Sequence, residues 1–387
     1  MPPGFWPIWT TVALDLVGFG IVIPILGRYA ERFGASGLEV GLMFATFSLA
    51  QMVFAPLLGR LSDRIGRKPV IVVSLVGTAV GSVVTGAAGA LWMLFLGRAI
   101  DGASGASVAV AQGAIADIAP PEDRARLLGL LGAAFGVGFV VGPALGGLSA
   151  LGGPHVPFYV AGALAGGNAI AAYIRLPETR PQQNEPSPEV ASTTEIEVPS
   201  VLRRLAIVLF LGTLSFAGFE ATFSLFGARR FGLTEGSNAM VLLFVGVVMV
   251  AVQGALIGPL TKSLGSRRLM RLGLVGVALG LIGLAFTTTW FALFAMLFLI
   301  ACGQGLFGPS SGALTAELAP PERRGEILGY QQSASALGRV LGPVLGGALF
   351  DARGVGAPYV VSAVLMACAL AVVWNATRSR ITATTTR

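Results

Sequence analysis

Five ionisable side chains lie inside long apolar runs of this 387-residue chain: Asp15, Arg98, Asp101, Glu220 and Arg339. In hydrocarbon each costs about 2.5–3.5 kcal/mol unless it is paired or functional. Their types point to an acid that takes and releases a proton, and a cation that tunes or neutralises it. Arg98 and Asp101 stand one helical turn apart, so simple neutralisation is as good a reading as a functional one. The sharper reading is that Arg98 tunes the ionisation of Asp15 or Asp101, and that a bound molecule and a proton compete for that acid.

Glu220 sits in LSFAGFEATFSLF, with Phe216, Phe219, Phe223 and Phe226 at helical spacing around it. Such a stripe either packs against core and lipid, or lines a site that clasps a planar, lipophilic, often cationic molecule through stacking and cation–π contact. Phe19, Gln304 and Phe307 join Phe216, Phe219, Glu220 and Phe223 as expected substrate contacts. Arg339 has two readings, as a partner of Glu220 or as a snorkelling residue at the headgroups. Gln51, Gln112, Asn168, Gln253 and Gln304 offer polar contacts to a ligand or serve as glue between helices.

The elements that must position these groups follow from composition. At 54% hydrophobic residues and a mean hydropathy of +0.79, the chain has too little polar surface to cover a soluble protein of this length. About 20 apolar residues span roughly 30 Å of hydrocarbon as a helix. Twelve such runs can be placed, near 6–26, 38–59, 69–89, 91–115, 127–150, 157–175, 203–227, 237–261, 269–287, 290–316, 326–350 and 356–376. Arg and Lys divide unevenly between the alternate sides, 19 against 5, with Arg98 and Arg339 inside spans. The positive-inside bias therefore puts both termini and the charged loops in the cytoplasm. The net charge of +7 is accounted for in this way, without nucleic acid.

Cys302 and Cys368 both fall in spans and have no Cys/His cluster beside them, so neither a disulfide framework nor a metal site is implied. The first run contains Asp15 and lacks a basic leader and a small-residue cleavage site; it is expected to be a retained helix.

The chain repeats itself at an offset of 200: APPE at 119–122 recurs at 319–322, and GFVVGPALGG (Gly138–Gly147) recurs as GRVLGPVLGG (Gly338–Gly347). Between the copies, the Pro-, Glu-, Ser- and Thr-rich stretch 176–202 is expected to be a flexible cytoplasmic linker between six-helix bundles 1–175 and 203–387.

Gly59 to Val70, GRLSDRIGRKPV, packs Arg60, Asp63, Arg64, Arg67 and Lys68 between two apolar runs. Its Gly-x-x-x-Asp-Arg-x-Gly-Arg-Lys-Pro spacing resembles the loop between the second and third helices of major facilitator superfamily transporters. GPLTKSLGSRR (Gly258–Arg268) is its worn counterpart, with Lys262 standing where Asp63 would be. The resemblance implies a latch built from Gly59, Asp63, Arg64, Gly66, Arg67 and Asp117. In it Asp63 meets the N-terminus of a second-half helix, where free N–H groups favour an anion, and Arg67 pairs with Asp117. An ordinary solvated salt bridge, worth about 0–1 kcal/mol, is the plain alternative.

Gly138, Gly142, Pro143, Gly146 and Gly147 resemble the fifth-helix motif of proton-driven exporters in this superfamily, where small residues admit close packing and Pro143 kinks the helix. Asp15 to Pro24 resembles the first helix of tetracycline and multidrug exporters. LGRAIDGASGA around Arg98 resembles their fourth-helix motif, although Asp101 is no part of it. The Glu220 stretch resembles the seventh helix of quinolone-type exporters. The tenth run, Gly303–Pro309, departs from those exporters by lacking an acid near its proline.

The expectation is an all-α integral membrane protein of twelve helices in two pseudo-symmetric bundles, a proton-coupled exporter of lipophilic, often cationic drugs. Asp15, Arg98, Asp101 and Glu220 would carry coupling. It would act as a monomer without cofactor, and no phosphate-binding loop or nucleophile constellation argues for enzyme chemistry. A facilitator for one metabolite, such as a sugar or amino acid derivative, and a non-transporting membrane sensor or scaffold are the rival readings.

Overall fold

A computed structural model of the chain describes residues 1–120, 123–179, 200–319 and 324–378. Most of the expected linker falls outside them, and its residues 200–202 already belong to a helix. Among the described residues the chain is all-helical, with twelve helices long and apolar enough to cross a membrane. Helices are the natural outcome, because in lipid every backbone N–H and C=O must find its partner within the segment.

The spans are α1 Phe5–Glu31, α2 Gly37–Ile65, α3 Arg67–Gly86, α4 Leu91–Ile118, α5 Arg124–Ala150 and α6 Val156–Arg175. They continue as α7 Ser200–Phe231, α8 Glu235–Leu264, α9 Ser266–Phe286, α10 Trp290–Leu318, α11 Arg324–Arg353 and α12 Ala357–Arg378. Two are irregular in ways the apolar runs do not announce. Helix α4 breaks between Ser104 and Ser107, where the Gly105 carbonyl accepts a hydrogen bond from Gln51 Nε2 (2.9 Å). Helix α8 contains a π-turn over Val252–Leu256.

Packing comes in matched sets. Helix α1 packs on α5 as α7 does on α11, α3 on α6 as α9 on α12, and α3 on α4 as α9 on α10. Across the middle, α2 packs on α11 as α8 does on α5. The turns repeat as well: Gly34 and Gly232, Gly66 and Gly265, and Gly153 and Gly354 all take positive φ. Glycine is the residue that adopts this conformation without steric cost.

The repeated glycine motifs make the closest approaches. A Cβ on Gly142 would lie 2.5 Å from Gly20 Cα, and one on Gly342 would lie 2.3 Å from the Leu214 carbonyl oxygen. Backbones can therefore meet with no side chain between them.

The two sets of helices, α1–α6 and α7–α12, make their close glycine contacts with each other toward one end. At the end away from the Gly59–Val70 loop, Gly41 abuts the Pro343 carbonyl and Gly37 the Gly347 carbonyl; deeper in, Gly246 abuts the Phe139 carbonyl. Toward the loop end, Gly129, Gly132, Gly258, Gly312 and Gly329 face open space. The close glycine contacts between the two sets thus lie at the far end and at mid-depth, and none of these loop-end glycines meets the other set.

Candidate transport site

The far-end seal is polar as well as steric. Asp351, in the last turn of α11, accepts backbone N–H bonds from Gly37 (2.9 Å) and Leu38 (2.8 Å) at the start of α2. That N-terminus also carries a capping box of Ser36 and Glu39. Arg32 pairs with Glu235 at 2.7 Å, and Arg229 approaches Glu31 at 3.7 Å and lies over the Phe350 ring. Below these, Asn238 Nδ2 donates to the Pro24 carbonyl (2.6 Å). None of Asp351, Glu235 or Asn238 stands out in the sequence, because each sits at the end of an ordinary apolar run.

At the loop end, Gly66 (φ 113°) turns the chain from α2 into α3. Arg67 pairs with Asp117 (2.9 Å) and Asp63 (2.6 Å) and donates to the Ser62 hydroxyl (2.7 Å). Gly113 leaves room for it, since a Cβ there would lie 2.9 Å from the guanidinium carbon. The Arg67–Asp117 half of the expected latch is thus assembled. Asp63 is 58% exposed and, among the described residues, is bonded to Arg67 alone. The start of α3 is met instead by Glu178, whose carboxylate accepts from the N–H groups of Arg67 (2.8 Å) and Lys68 (3.3 Å). Gly59 has open space around it, and Arg64 is exposed.

Inside the first half, Arg98 and Asp101 are buried and bonded to each other, and Arg98 lies over the Phe47 ring, 5.3 Å from its centroid. Asp15 is half-buried and accepts a hydrogen bond from the Ser107 hydroxyl. Ser107 opens the second segment of α4, so the break at 105–106 sets Asp15 beside a helix N-terminus that favours an anion.

This arrangement separates the roles of the two acids. Asp101→Asn would leave a buried guanidinium without its counter-charge and is expected to destabilise the protein by about 3–5 kcal/mol. Asp15→Asn removes only an acid bonded to a hydroxyl. Thermal melting in detergent should therefore show a large drop for the first and little change for the second.

Glu220, Phe216 and Phe219 line a cavity between the two sets of helices, together with Ile23, Pro24, Phe139, Pro143, Leu242 and Met249. The rest of the Phe stripe lies elsewhere. Phe223 and Phe226 are fully buried, and Phe226 packs edge-on against Tyr359 at 5.0 Å. Phe307 is also buried, against Gly212 and Gly273, and Phe19 packs against Phe47 at 5.4 Å. The Gln304 side-chain oxygen is buried and, among the described residues, has no hydrogen-bond partner. Gln51 and Asn168 bond backbone carbonyls of Gly105 and Thr11, which makes them glue between helices. In the glycine motif, Gly138, Gly142 and Gly146 pack on α1 while Gly147 faces α8.

Comparison with known proteins places this architecture. The chain is 32% identical over 385 residues to the class C tetracycline resistance protein of Escherichia coli, covering 97% of each chain. It is 30% identical over 373 residues to multidrug resistance protein 1 of Bacillus subtilis (strain 168), covering 95% of each. Among solved structures, a bacterial homologue of the human lysosomal transporter Spinster, inward-facing and occupied, matches with a TM-score of 0.80 at 16% identity, over 97% of this chain and 96% of that one. The model of the Major Facilitator Superfamily matches residues 8–257 and 247–385. The chain is therefore a multi-pass membrane protein and belongs to the Major Facilitator Superfamily.

Proposed function

We propose that the protein is a secondary active transporter that exports lipophilic, often cationic drugs in exchange for protons. The observation that carries the reading is Glu220. It is an acid at membrane depth with no ion-pair partner within 4 Å among the described residues, set with Phe216 and Phe219 in a cavity between the two sets of helices. A carboxylate in such a place binds a cation or a proton, but not both, and that competition is what exchange requires. The relatives' names, tetracycline resistance and multidrug resistance, support the same substrate class.

On this reading the charged loops and both termini are cytoplasmic. The far-end seal is then the outer gate, and the open loop end is the inward-facing state. Bundles 1–175 and 203–387, joined by 176–202, rock about the contacts that cross between them, Gly147 and Phe139 against α8 and Pro343 and Gly347 against α2. The Asp63 latch engages only when the cytoplasmic side closes, which accounts for Asp63 being exposed while Asp351 is bonded. The metabolite-facilitator reading needs convergent polar groups, and two of the amides that would supply them, Gln51 and Asn168, are already committed to backbone carbonyls.

The test is drug-evoked proton flux. Purified protein in proteoliposomes with an acidic lumen should discharge the gradient when ethidium, tetracycline or norfloxacin is added outside. A gradient unaffected by all three would overturn the reading.

A further inference from the structure

Arg339 stands at the middle of α11, the sixteenth of its 30 residues, with about 22 Å of helix on either side. An arginine side chain cannot snorkel that distance to the headgroups. Its direction follows from its neighbours. Gly338, Gly342 and Gly346 pack on α7, and Pro343 and Gly347 on α2. Leu337, Leu341 and Leu345, exposed, mark the lipid side. At 100° per residue Arg339 falls between the α7 and α2 faces, toward the space between the two sets of helices. Its counterpart in the repeated motif is Phe139, which lines the Glu220 cavity.

The guanidinium is in the right place to act there. Arg339 is exposed, and among the described residues it makes no salt bridge or hydrogen bond. Glu220 and Arg339 form no ion pair within 4 Å of each other. Glu220 thus lines the cavity with Phe216 and Phe219, and Arg339, outside that lining, is turned by its helix toward the same space between the two sets without closing on the acid. A lone cationic drug would be attracted by Glu220 and repelled by Arg339. A molecule carrying both charges satisfies each, and the planar guanidinium fork can hold a carboxylate or enolate by two charge-assisted hydrogen bonds.

We propose that Arg339 is an anion-receiving residue of the transport site, making zwitterionic aromatic amphiphiles the preferred substrates, their anionic group on Arg339 and their ammonium toward Glu220. This rests on the drug-export reading and narrows it.

The test uses two dyes that differ only in that anion: rhodamine B, a zwitterion near neutral pH, and its methyl ester, a permanent cation. Fluorescence anisotropy with the purified full chain reads both affinities. Wild type is expected to bind rhodamine B about tenfold more tightly than the ester. Arg339→Gln should remove that preference by weakening rhodamine B, while the ester, relieved of the guanidinium's repulsion, binds at least as tightly as to wild type and so reports an intact fold; Arg339→Lys should keep part of the preference. Equal affinities in wild type, or an equal loss of both dyes in Arg339→Gln, would overturn the inference while leaving drug binding in place. Binding of neither dye by wild type would overturn the drug-export reading and this inference together.

Discussion

Replacing Glu220 with glutamine is expected to abolish uphill drug export, by more than about 100-fold, while substrate counterflow persists. Glutamine keeps the size of the acid in its cavity with Phe216 and Phe219 but holds it in the neutral state. A carrier so fixed can still move substrate down its own gradient, because rocking and binding remain. It cannot exchange substrate for a proton, because there is none to release. The pH dependence separates this from a general loss of affinity. In wild type the proton competes with a cationic drug, so apparent affinity should fall about tenfold per pH unit once the medium is more acidic than the group's pKa. In Glu220→Gln that slope should vanish. Asp15→Asn is expected to reduce export as well, through the first-half acid held by Ser107. If both variants export as well as wild type, Asp101 becomes the remaining coupling acid.

Cutting the far-end seal should have the second large effect. Asp351→Ala removes both acceptors from the start of α2, a loss of the kind that costs about 0.5–2 kcal/mol at a helix cap. Because those bonds exist only while the far end is closed, the loss falls on one state. The population should shift about 2- to 30-fold toward the outward-open form. A cysteine placed at Ile23, which lines the cavity, in a background lacking Cys302 and Cys368, would report it. An impermeant thiol reagent added from the far side should label Ile23→Cys faster by that factor when Asp351 is removed. An unchanged rate would mean that Arg32–Glu235 and the glycine contacts hold the gate without Asp351.

Helix number and the membrane class were legible because hydropathy over 20 residues is a strong signal, and the twelve observed spans overlap the twelve runs. At Gly59–Val70 the turn was legible from its glycines and charges, whereas the Arg67–Asp117 pair, which joins α3 to the end of α4, was expected only because the loop resembles that of the superfamily. What sequence could not supply was the rotation and end-to-end environment of each helix. Phe216, Phe219, Phe223 and Phe226 share one helical face, yet only the first two line the cavity. The other two lie where α7 enters the far end, and there Tyr359 of α12 closes over Phe226. Asp351 and Glu178 were missed for a related reason, since each caps a helix remote in sequence, and a lone acid after an apolar run carries no sign of its partner. The break in α4 was hidden inside a run whose Gly and Ser content is ordinary for a membrane helix; its carbonyl is satisfied by Gln51 from another span.

If drug and proton compete for Glu220, binding the drug must release the proton. Detergent-purified protein in weakly buffered solution, titrated with ethidium while a pH indicator is read, should release up to about one proton per bound drug in wild type. Glu220→Gln should bind without releasing any. Equal release from both proteins would contradict the account and move the coupling proton to another acid.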